Sequence, residues 1–242
     1  MQENKEEKQM RKKALIILGG MLIMSLVTGC SVFQERKSTQ EIADYFIPLR
    51  EHYPTYSLLE FCDKSDSGTY RIDSNINYEK DGALYAEGIT VNIDCATKEI
   101  TGVYRVMTIG EEKTSVEYAL YYDEEGYHLI DEVEDEELKE RILNYKFLIE
   151  YINLGNEYID ELEVKEASYN PNIELYWINY YLSVGDINLD AIYKENPKLP
   201  YSEDILLKFE GKGDSSDGSK DLEIKFNDEA NTYINESITY HR

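Results

Sequence analysis

The sequence predicts an α+β fold in which two halves, each a helix with an antiparallel meander, pack together behind an N-terminal signal peptide. Three observations support this prediction. An apolar run lies near the N-terminus, at residues 14–28. Between residues 69 and 130, apolar and polar side chains alternate, as they do in strands that bury one face. From residue 135 the apolar spacing becomes helical, and alternation returns near the C-terminus.

The first segment of the chain has the composition of a secretory signal. Three basic residues at 11–13 precede the apolar run at 14–28, which is shorter than the roughly 18 to 20 apolar residues that span a bilayer. This pattern predicts a signal peptide over residues 1–29. Two alternatives stay open: an uncleaved anchor helix with an incidental cysteine, and a start at Met10 that omits the acidic preface after Met1.

The end of the apolar run carries a motif that sharpens this prediction. Val27, Thr28 and Gly29 directly precede Cys30. Small residues before a cysteine at this place resemble the lipobox of bacterial lipoproteins, in which the cysteine sulfur receives a diacylglycerol and the signal is cut in front of it. We therefore expect Cys30 to be the lipidation site and its lipid to hold the protein on the extracytoplasmic face of the cell membrane.

The mature chain is strongly acidic. Residues 1–29 contain 5 basic and 3 acidic residues, so their removal leaves 20 Lys and Arg against 46 Asp and Glu, a formal charge of −26. A polar tether at 30–38 then leads to a domain at 39–242, which is long enough to bury a sizeable core. A surface of this charge repels nucleic acid and anionic headgroups. We expect membrane attachment through the lipid on Cys30, a protein partner for which a basic host protein is one candidate, no nucleic acid and no cofactor.

Two cysteines remain in the mature domain, Cys62 and Cys95. They can pair outside the cell, where disulfides persist. Cys95 also continues the apolar alternation of the segment Ile89–Cys95, so a small buried thiol explains it equally well. The sequence leaves both interpretations open.

The first half of the domain is predicted to contain one helix and five strands. Apolar residues at helical spacing predict a helix over 40–53, with Ser38 or Thr39 as its cap. Pro48 predicts a kink or an early end of this helix. Alternating segments joined by short links then predict an antiparallel meander with one wet face. The predicted strands lie at 70–78, 89–95, 100–109, 117–122 and 127–130.

The second half repeats this arrangement. Apolar residues at helical spacing predict a helix over 135–155, capped by Asp135. The segment 173–182 is apolar on both faces, which predicts a central strand. The repetition of helix and meander predicts halves at 39–131 and 134–242. The remaining predicted elements are a helix at 186–193, strands at 205–209, 222–226 and 234–240, and a Gly, Ser and Asp-rich loop at 211–220.

Three segments of the chain resemble a known family. They are Tyr118–Phe147, the strand Thr97–Tyr104, and the late pair ILLKFEGKG and SKDLEIKF. These segments resemble the staphylococcal tandem-type lipoproteins, also called conserved staphylococcal antigen lipoproteins, and the resemblance extends from the lipobox to the last strand. It implies an exported, acylated surface protein of a Gram-positive cell that is connected to host interaction and immune stimulation. The resemblance carries over no catalytic residue.

Residue types that perform catalysis or bind metals are sparse. His52, His128 and His241 have no metal-ligand spacing, and the chain has no Gly-x-Ser-x-Gly, P-loop or Gly-x-Gly-x-x-Gly motif. We therefore assign no catalytic residue and no metal site, and we predict a non-enzymatic interaction module. The alternative is a wall-associated hydrolase or a solute-binding lipoprotein whose site is not visible in the sequence.

An acidic stretch from 123 to 137 is the candidate surface for steering a basic partner. A turn followed by a helix N-terminus explains the same residues, because acidic side chains favour the positive end of a helix dipole. The residues of this candidate surface are Asp123, Glu124, Glu125, Asp131, Glu132, Glu134 and Asp135.

We expect the change Cys30→Ala to abolish lipid labelling and to leave the precursor uncleaved at this boundary, because acylation and cleavage both depend on that sulfur. Metabolic labelling with a tagged fatty acid and the electrophoretic mobility of the product measure both effects. A Cys62→Ala protein, which keeps the lipobox, is the control and should label normally. Undiminished labelling of the Cys30→Ala protein would reject the lipidation site.

Overall fold

The alternating segments of the sequence form one antiparallel sheet of ten strands. A computed structural model gives the strands as β1 (Thr69–Lys80), β2 (Ala83–Asp94), β3 (Glu99–Ile109), β4 (Thr114–Asp123), β5 (Gly126–Leu129), β6 (Val164–Asn170), β7 (Leu175–Leu182), β8 (Ile205–Lys212), β9 (Ser219–Phe226) and β10 (Tyr233–His241). Their order in the sheet is β5-β4-β3-β2-β1-β10-β9-β8-β7-β6. Each half of the chain therefore supplies a meander of five strands, and the predicted strands of the first half are all confirmed.

The two meanders meet at the centre of the sheet, where the first strand pairs with the last. β1 and β10 run antiparallel, with Ile72 opposite Ile238 and Asn75 opposite Asn235. In this register the apolar positions of both strands point to the same side of the sheet, because successive side chains of a strand alternate between the two faces. The sheet is therefore continuous across the two halves.

The structure describes residues 37–65, 67–80, 83–109, 114–197, 199–203, 205–213, 219–226 and 232–241. The predicted signal peptide, its cleavage motif, Cys30 and most of the tether lie outside the described residues, as does the middle of the loop 211–220. Residues 37–242 cluster as one compact unit. In the described part of the chain, no helix is long and apolar enough to cross a membrane.

Short helices cover one face of the sheet. They are α1 (Thr39–Tyr45), α2 (Ile47–Arg50), α3 (Leu58–Lys64), α4 (Glu136–Leu143), α5 (Asn156–Glu161) and α6 (Ile187–Glu195), together with a 3₁₀ turn at Leu148–Glu150. The core joins helix residues such as Ile42 and Ile192 to alternate positions of the strands, such as Ile72, Val91 and Ile224. Each large apolar side chain that is fully buried contributes about 1.5–3 kcal/mol. The α+β fold class is confirmed, as one helical layer on an antiparallel sheet.

The start of α1 and its junction with α2 follow from local sequence. Ser38 Oγ accepts the N–H of Glu41 at 3.2 Å, and the Glu41 carboxylate accepts the N–H of Ser38 at 2.7 Å, which forms a capping box. Pro48 lies in the first turn of α2, where its missing N–H is tolerated. The helix predicted over 40–53 is therefore interrupted at Phe46, in keeping with the kink predicted for Pro48.

The helix predicted over 135–155 is wrong in length. It ends at Leu143, and a 3₁₀ turn and the separate helix α5 follow it. Leu148 and Ile149 are neighbours in the chain and are each at most 1% exposed, so this segment is buried on all sides and does not present a single helical stripe. Their N–H groups donate to the carboxylate of Glu236 on β10, at 2.6 and 2.9 Å, in place of helical carbonyls.

The prediction of two packed halves is not confirmed. The meanders expected within 39–131 and 134–242 are present, but they continue one another in a single sheet and share one helical layer. The sequence pattern does not predict β6, because this polar edge strand, VKEASYN, lacks a clear apolar alternation. Because β6 forms the edge of the sheet, β7 is the second strand from that edge, although the sequence predicts it as a central strand. In keeping with this position, Tyr181 of β7 is 38% exposed.

A disulfide joins Cys62 of α3 to Cys95, in the turn after β2. Of the two interpretations that the sequence leaves open, the structure shows pairing. Cys62 is 7% exposed and packs within the core. The bond spans 33 residues of chain and ties a helix of the covering layer to the sheet.

A buried carboxylate on β10 connects the sheet to the helical layer. Glu236 is fully buried and accepts the O–H of Tyr53 at 2.8 Å, in addition to the N–H groups of Leu148 and Ile149. Burial raises the pKa of Glu236 to about 7, and the charge of Glu150 acts in the same direction. Burial also raises the pKa of Glu150 to about 7. Two buried carboxyl groups that interact with each other therefore change charge near neutral pH.

We expect the double change Cys62→Ala and Cys95→Ala to lower the free energy of unfolding by about 3–4 kcal/mol, because a bond that closes a loop of 33 residues restricts the unfolded chain. Urea unfolding of a fragment that starts at Ser31 measures this difference. The reduced unmodified protein should match the double variant. Two free thiols in the denatured, unreduced protein would contradict the assigned bond.

We expect the free energy of unfolding to fall as the pH rises from about 5 to about 8. The pKa of Glu236 is raised from an ordinary value of 4.5 to about 7, so its contribution is fully present below about pH 4.5 and is lost as the pH rises through about 7. A shift of this size corresponds to about 3 kcal/mol. Urea unfolding at both pH values measures the effect.

The change Glu236→Gln should reduce this pH dependence, because an amide does not titrate in this range. It should also lower stability at about pH 5, because its NH₂ group faces a backbone N–H, and this deficit should shrink toward pH 8, where Glu236 is charged in the unmodified protein. Glu223→Gln is the matched control, since Glu223 lies on β9 with its side chain on the opposite face of the sheet from Ile224. Equal pH profiles for the two variants would contradict the role assigned to the buried carboxylate.

Candidate functional site

The predicted acidic surface begins in the turn between β4 and β5. Asp123 accepts the N–H of Glu125 at 2.8 Å and contacts Nε2 of His128 at 2.8 Å. These two hydrogen bonds lower the pKa of Asp123. Gly126 closes the turn with a φ of 107°, a conformation that favours glycine. The side chains of Glu124 and Glu125 are exposed.

The second part of this acidic surface lies between β5 and α4. Asp131 accepts a backbone N–H of β4 at 2.6 Å, and Asp135 caps α4 by accepting an N–H of its first turn at 3.0 Å. Glu132 and Glu134 are exposed. Three of the seven predicted residues, Asp123, Asp131 and Asp135, thus accept hydrogen bonds from the local backbone. This is what a turn followed by a helix N-terminus predicts. The four glutamates face solvent at the β5 edge of the sheet.

The face of the sheet opposite the helices, which we call the open face, is the broadest candidate interaction surface. In the described residues, the helices contribute to a core on the other face alone. Side chains of opposite charge are paired on the open face: Arg105 with Glu117 at 2.6 Å, and Lys208 with Glu210 at 2.9 Å. Exposed ion pairs add little to stability, so they can rearrange to meet a partner at small cost.

Several clefts of comparable volume, about 350–450 Å³, lie on the described surface, and three of them bear on function. One, of about 440 Å³, lies on the open face beside Trp177. A second, of about 350 Å³, lies against α4 and contains Arg141, whose guanidinium contacts Glu137 at 3.0 Å and Glu87 at 3.7 Å. The third, of about 450 Å³, is lined by α1, α2 and α5 and contains Arg50; we call it the Arg50 cleft.

The Arg50 cleft has a polar rim, an apolar wall and a charged floor. Arg50 and Tyr180 form the floor and are 5% and 3% exposed. Ile159 and Leu162 contribute apolar surface to the wall. The exposed side chains of the rim are Thr39, Gln40, Asp44, Asn156 and Asp160.

Arg50 reaches the floor of this cleft because it lies on the buried stripe of its helices. It follows Ile42 by eight residues and Phe46 by four, so it points to the same side as these core residues. The guanidinium atoms Nε and Nη1 are buried and have no hydrogen-bond partner among the described residues. Burial raises the pKa of Tyr180, and the positive charge of Arg50 opposes that shift. Sequence analysis missed Arg50, although a basic residue within an apolar stripe is a usable signal.

The two histidines that the structure describes in full lie on separate parts of the fold. His52 lies after α2 with its ring 4.9 Å from that of Phe61, and burial lowers its pKa. His128 lies on β5, where its ring stacks on Tyr121 at 4.6 Å. The side chain of His241 lies outside the described part of the structure. Within that part, no group of three His, Cys, Asp or Glu side chains could hold a metal ion.

Comparison with protein families identifies the lineage of this fold. A model of the Csa1 family matches residues 53–242. The chain belongs to the Csa1 family. The match includes Thr97–Tyr104 and Tyr118–Phe147, the segments that resemble staphylococcal lipoproteins, and the predicted family is therefore confirmed.

Relatives of this Csa1 protein match nearly its whole length. An uncharacterized protein of Staphylococcus aureus strain MW2 is 30% identical over 93% of this chain and 90% of its own. Uncharacterized lipoproteins of Staphylococcus aureus strain RF122 and Staphylococcus epidermidis strain RP62A are each 28% identical, over 91% and 95% of this chain and 94% and 96% of theirs. Among solved structures, the Mycobacterium tuberculosis lipoprotein LppX covers 74% of this chain and 87% of its own at 9% identity, and its TM-score of 0.30 is too low to carry an argument.

Proposed function

We propose that this Csa1 protein is a surface lipoprotein, anchored by a lipid on Cys30 outside the cytoplasmic membrane, that binds a protein partner and performs no catalysis. The observation that carries this proposal is the one-sided architecture, in which the described helices pack on one face of a ten-stranded sheet. A broad polar face suits a protein partner better than a small substrate, because small-molecule sites are concave and mostly apolar. The relatives named lipoproteins support the lipid anchor.

The charge of the domain supports a basic partner, and the family resemblance supports a host protein in that role and immune stimulation through the lipid. The formal charge of −26 on the mature chain favours association with positive surfaces. The exposed glutamates at 124, 125, 132 and 134 lie beside the edge strand β5, next to the open face. They are the proposed surface for steering the partner into place.

Solute binding is the second candidate function, and a specific observation favours it. The Arg50 cleft holds a buried guanidinium whose Nε and Nη1 have no partner among the described residues. Hydrolysis of the cell wall is the third candidate function, and an assay of substrate turnover tests it.

We expect binding to a basic partner captured from host lysate to slow by about tenfold when four exposed glutamates are changed to glutamine, because long-range attraction steers encounter. The loss should shrink as salt rises from about 0.1 M to about 1 M, where the Debye length falls from about 10 Å to about 3 Å. Surface plasmon resonance with the fragment that starts at Ser31 measures the association rates. The four changed residues are Glu124, Glu125, Glu132 and Glu134.

The matched control removes four negative charges from the helical side of the molecule and should slow association much less. Its changes are Glu157→Gln, Glu161→Gln, Glu163→Gln and Asp190→Asn, all at exposed positions. Equal slowing by both quadruple variants would reject the localised steering surface and leave net charge as the cause. Association that does not depend on salt would reject the electrostatic part altogether.

We expect no turnover of wall glycan, peptide or ester substrates by the same fragment. Product formation measured by chromatography tests this expectation. Reproducible turnover that disappears when one or two carboxylates are changed would overturn the non-enzymatic proposal.

A further inference from the structure

We propose that the Arg50 cleft binds a small zwitterion, an α-amino acid or a short peptide, with its carboxylate on Arg50 and its ammonium group near Asp44 and Asp160. The inference stands apart from the proposed protein partner, because this cleft lies on the helical side of the sheet and the open face lies on the other. It rests on one buried charge, the charges around it and the volume of the cleft.

The first step is the state of the Arg50 side chain. It is 5% exposed, and Nε and Nη1 have no hydrogen-bond partner among the described residues. A guanidinium stays protonated in a protein, so burial of its charge without a partner lowers the stability of the fold. Arg141, which lines another cleft, differs because it contacts the carboxylates of Glu137 and Glu87. Arg50 is therefore placed as a binding group and not as a structural ion pair.

The second step is the chemistry that a buried guanidinium selects. Its planar N–H groups match the two oxygens of a carboxylate, and hydrogen bonds between charged groups are stronger than those between neutral groups. The hydroxyl-bearing side chain of Tyr180 lies on the same floor and is 3% exposed. A carboxylate seated on this floor would lie beside the guanidinium of Arg50 and would supply an acceptor that the described residues do not.

The third step is the charge of the rim. Asp44 and Asp160 line the cleft and are exposed, so a ligand on Arg50 meets negative charge as it enters. A phosphate dianion would be repelled by these two carboxylates, whereas an ammonium group on the ligand would be attracted. The combination of a positive floor and a negative rim therefore fits a molecule that carries both charges.

The fourth step is size. The cleft encloses about 450 Å³, which falls within the roughly 300–1,000 Å³ of small-molecule sites. Its wall includes Ile159 and Leu162, which can cover the apolar part of an amino-acid side chain. Asn156 on the rim supplies an amide group for the peptide bond of a short peptide, whereas Gln40 Nε2 donates to Asp44 at 2.7 Å.

Calorimetric titration of the fragment that starts at Ser31 tests the proposal with glycylglycine, glycine, acetate, ethylammonium and inorganic phosphate as probes at constant ionic strength. We expect glycylglycine or glycine to bind saturably, and acetate, ethylammonium and phosphate to bind at least about tenfold more weakly. Arg50→Met should weaken binding of the zwitterions at least about tenfold, since it removes charged hydrogen bonds. Asp160→Asn should weaken binding of the zwitterions several-fold and should slightly strengthen binding of acetate, because the rim then repels an anion less.

The stability of the Arg50→Met protein separates a binding role from a structural one. Methionine has similar length and no charge, so without added probe this variant should have a melting temperature equal to or above that of the unmodified protein. Lys194→Met, which removes one positive charge at an exposed site of α6, is the matched control and should bind the zwitterions normally. A lower melting temperature for Arg50→Met would show that the side chain is structural and would overturn the proposal.

Three other outcomes also overturn the proposal. Equal binding of the zwitterions to the unmodified protein and to Arg50→Met would place the ligand elsewhere, and absence of zwitterion binding to the unmodified protein would leave the cleft without this role. If acetate or phosphate binds as tightly as glycylglycine, the cleft binds simple anions and does not select zwitterions. None of these results alters the proposed binding of a protein partner, which the salt and charge variants test separately.

Discussion

The hydrogen bonds of the buried Glu236 carboxylate hold the two layers of this fold in register. Glu236 lies on β10 at the centre of the sheet and receives the Tyr53 hydroxyl together with the N–H groups of Leu148 and Ile149. These three donors come from two segments of the helical layer that are far apart in sequence. An uncompensated carboxylate at this depth would be very costly, so the chain around residue 148 leaves the helical path to supply donors. The break between α4 and α5, and hence the position of the Arg50 cleft beside α5, depends on this contact.

The molecule separates two kinds of surface by the face of the sheet on which they lie. Ion pairs of modest strength, such as Arg105 with Glu117, lie on the open face, while the helical side contains Arg50, whose buried Nε and Nη1 have no partner in the described part of the chain. A partner protein can meet the first surface without reaching the second. The Arg50 cleft shares Tyr180 and Ile159 with the apolar core that joins the helices to the sheet.

The sequence predicts the sheet well because strand periodicity is a local property. Alternating apolar residues identify the strands of the first meander within about three residues of their observed bounds, except that β2 begins six residues before the predicted start. It predicts the helices poorly where burial is complete, as at Leu148 and Ile149, because the acceptor Glu236 is more than eighty residues away. Arg50 is missed for a related reason. Its spacing from Phe46 shows that it lies on a buried stripe, but only the folded structure, with α5 beside it, shows that no described carboxylate pairs with its Nε and Nη1.

The pairing of β1 with β10 also sets the order in which the fold can be completed. A chain is synthesised from its N-terminus, so β1 is complete long before β10. During this time the backbone N–H and C=O groups on one side of β1 have no strand to pair with. Pairing β1 with β10 requires contacts between residues more than 150 positions apart, and contacts of such long range form slowly during folding. Until then the first meander is an open edge that can recruit a strand from a neighbouring molecule. Strand β10 therefore decides whether a nearly finished chain closes its own sheet or aggregates with its neighbours.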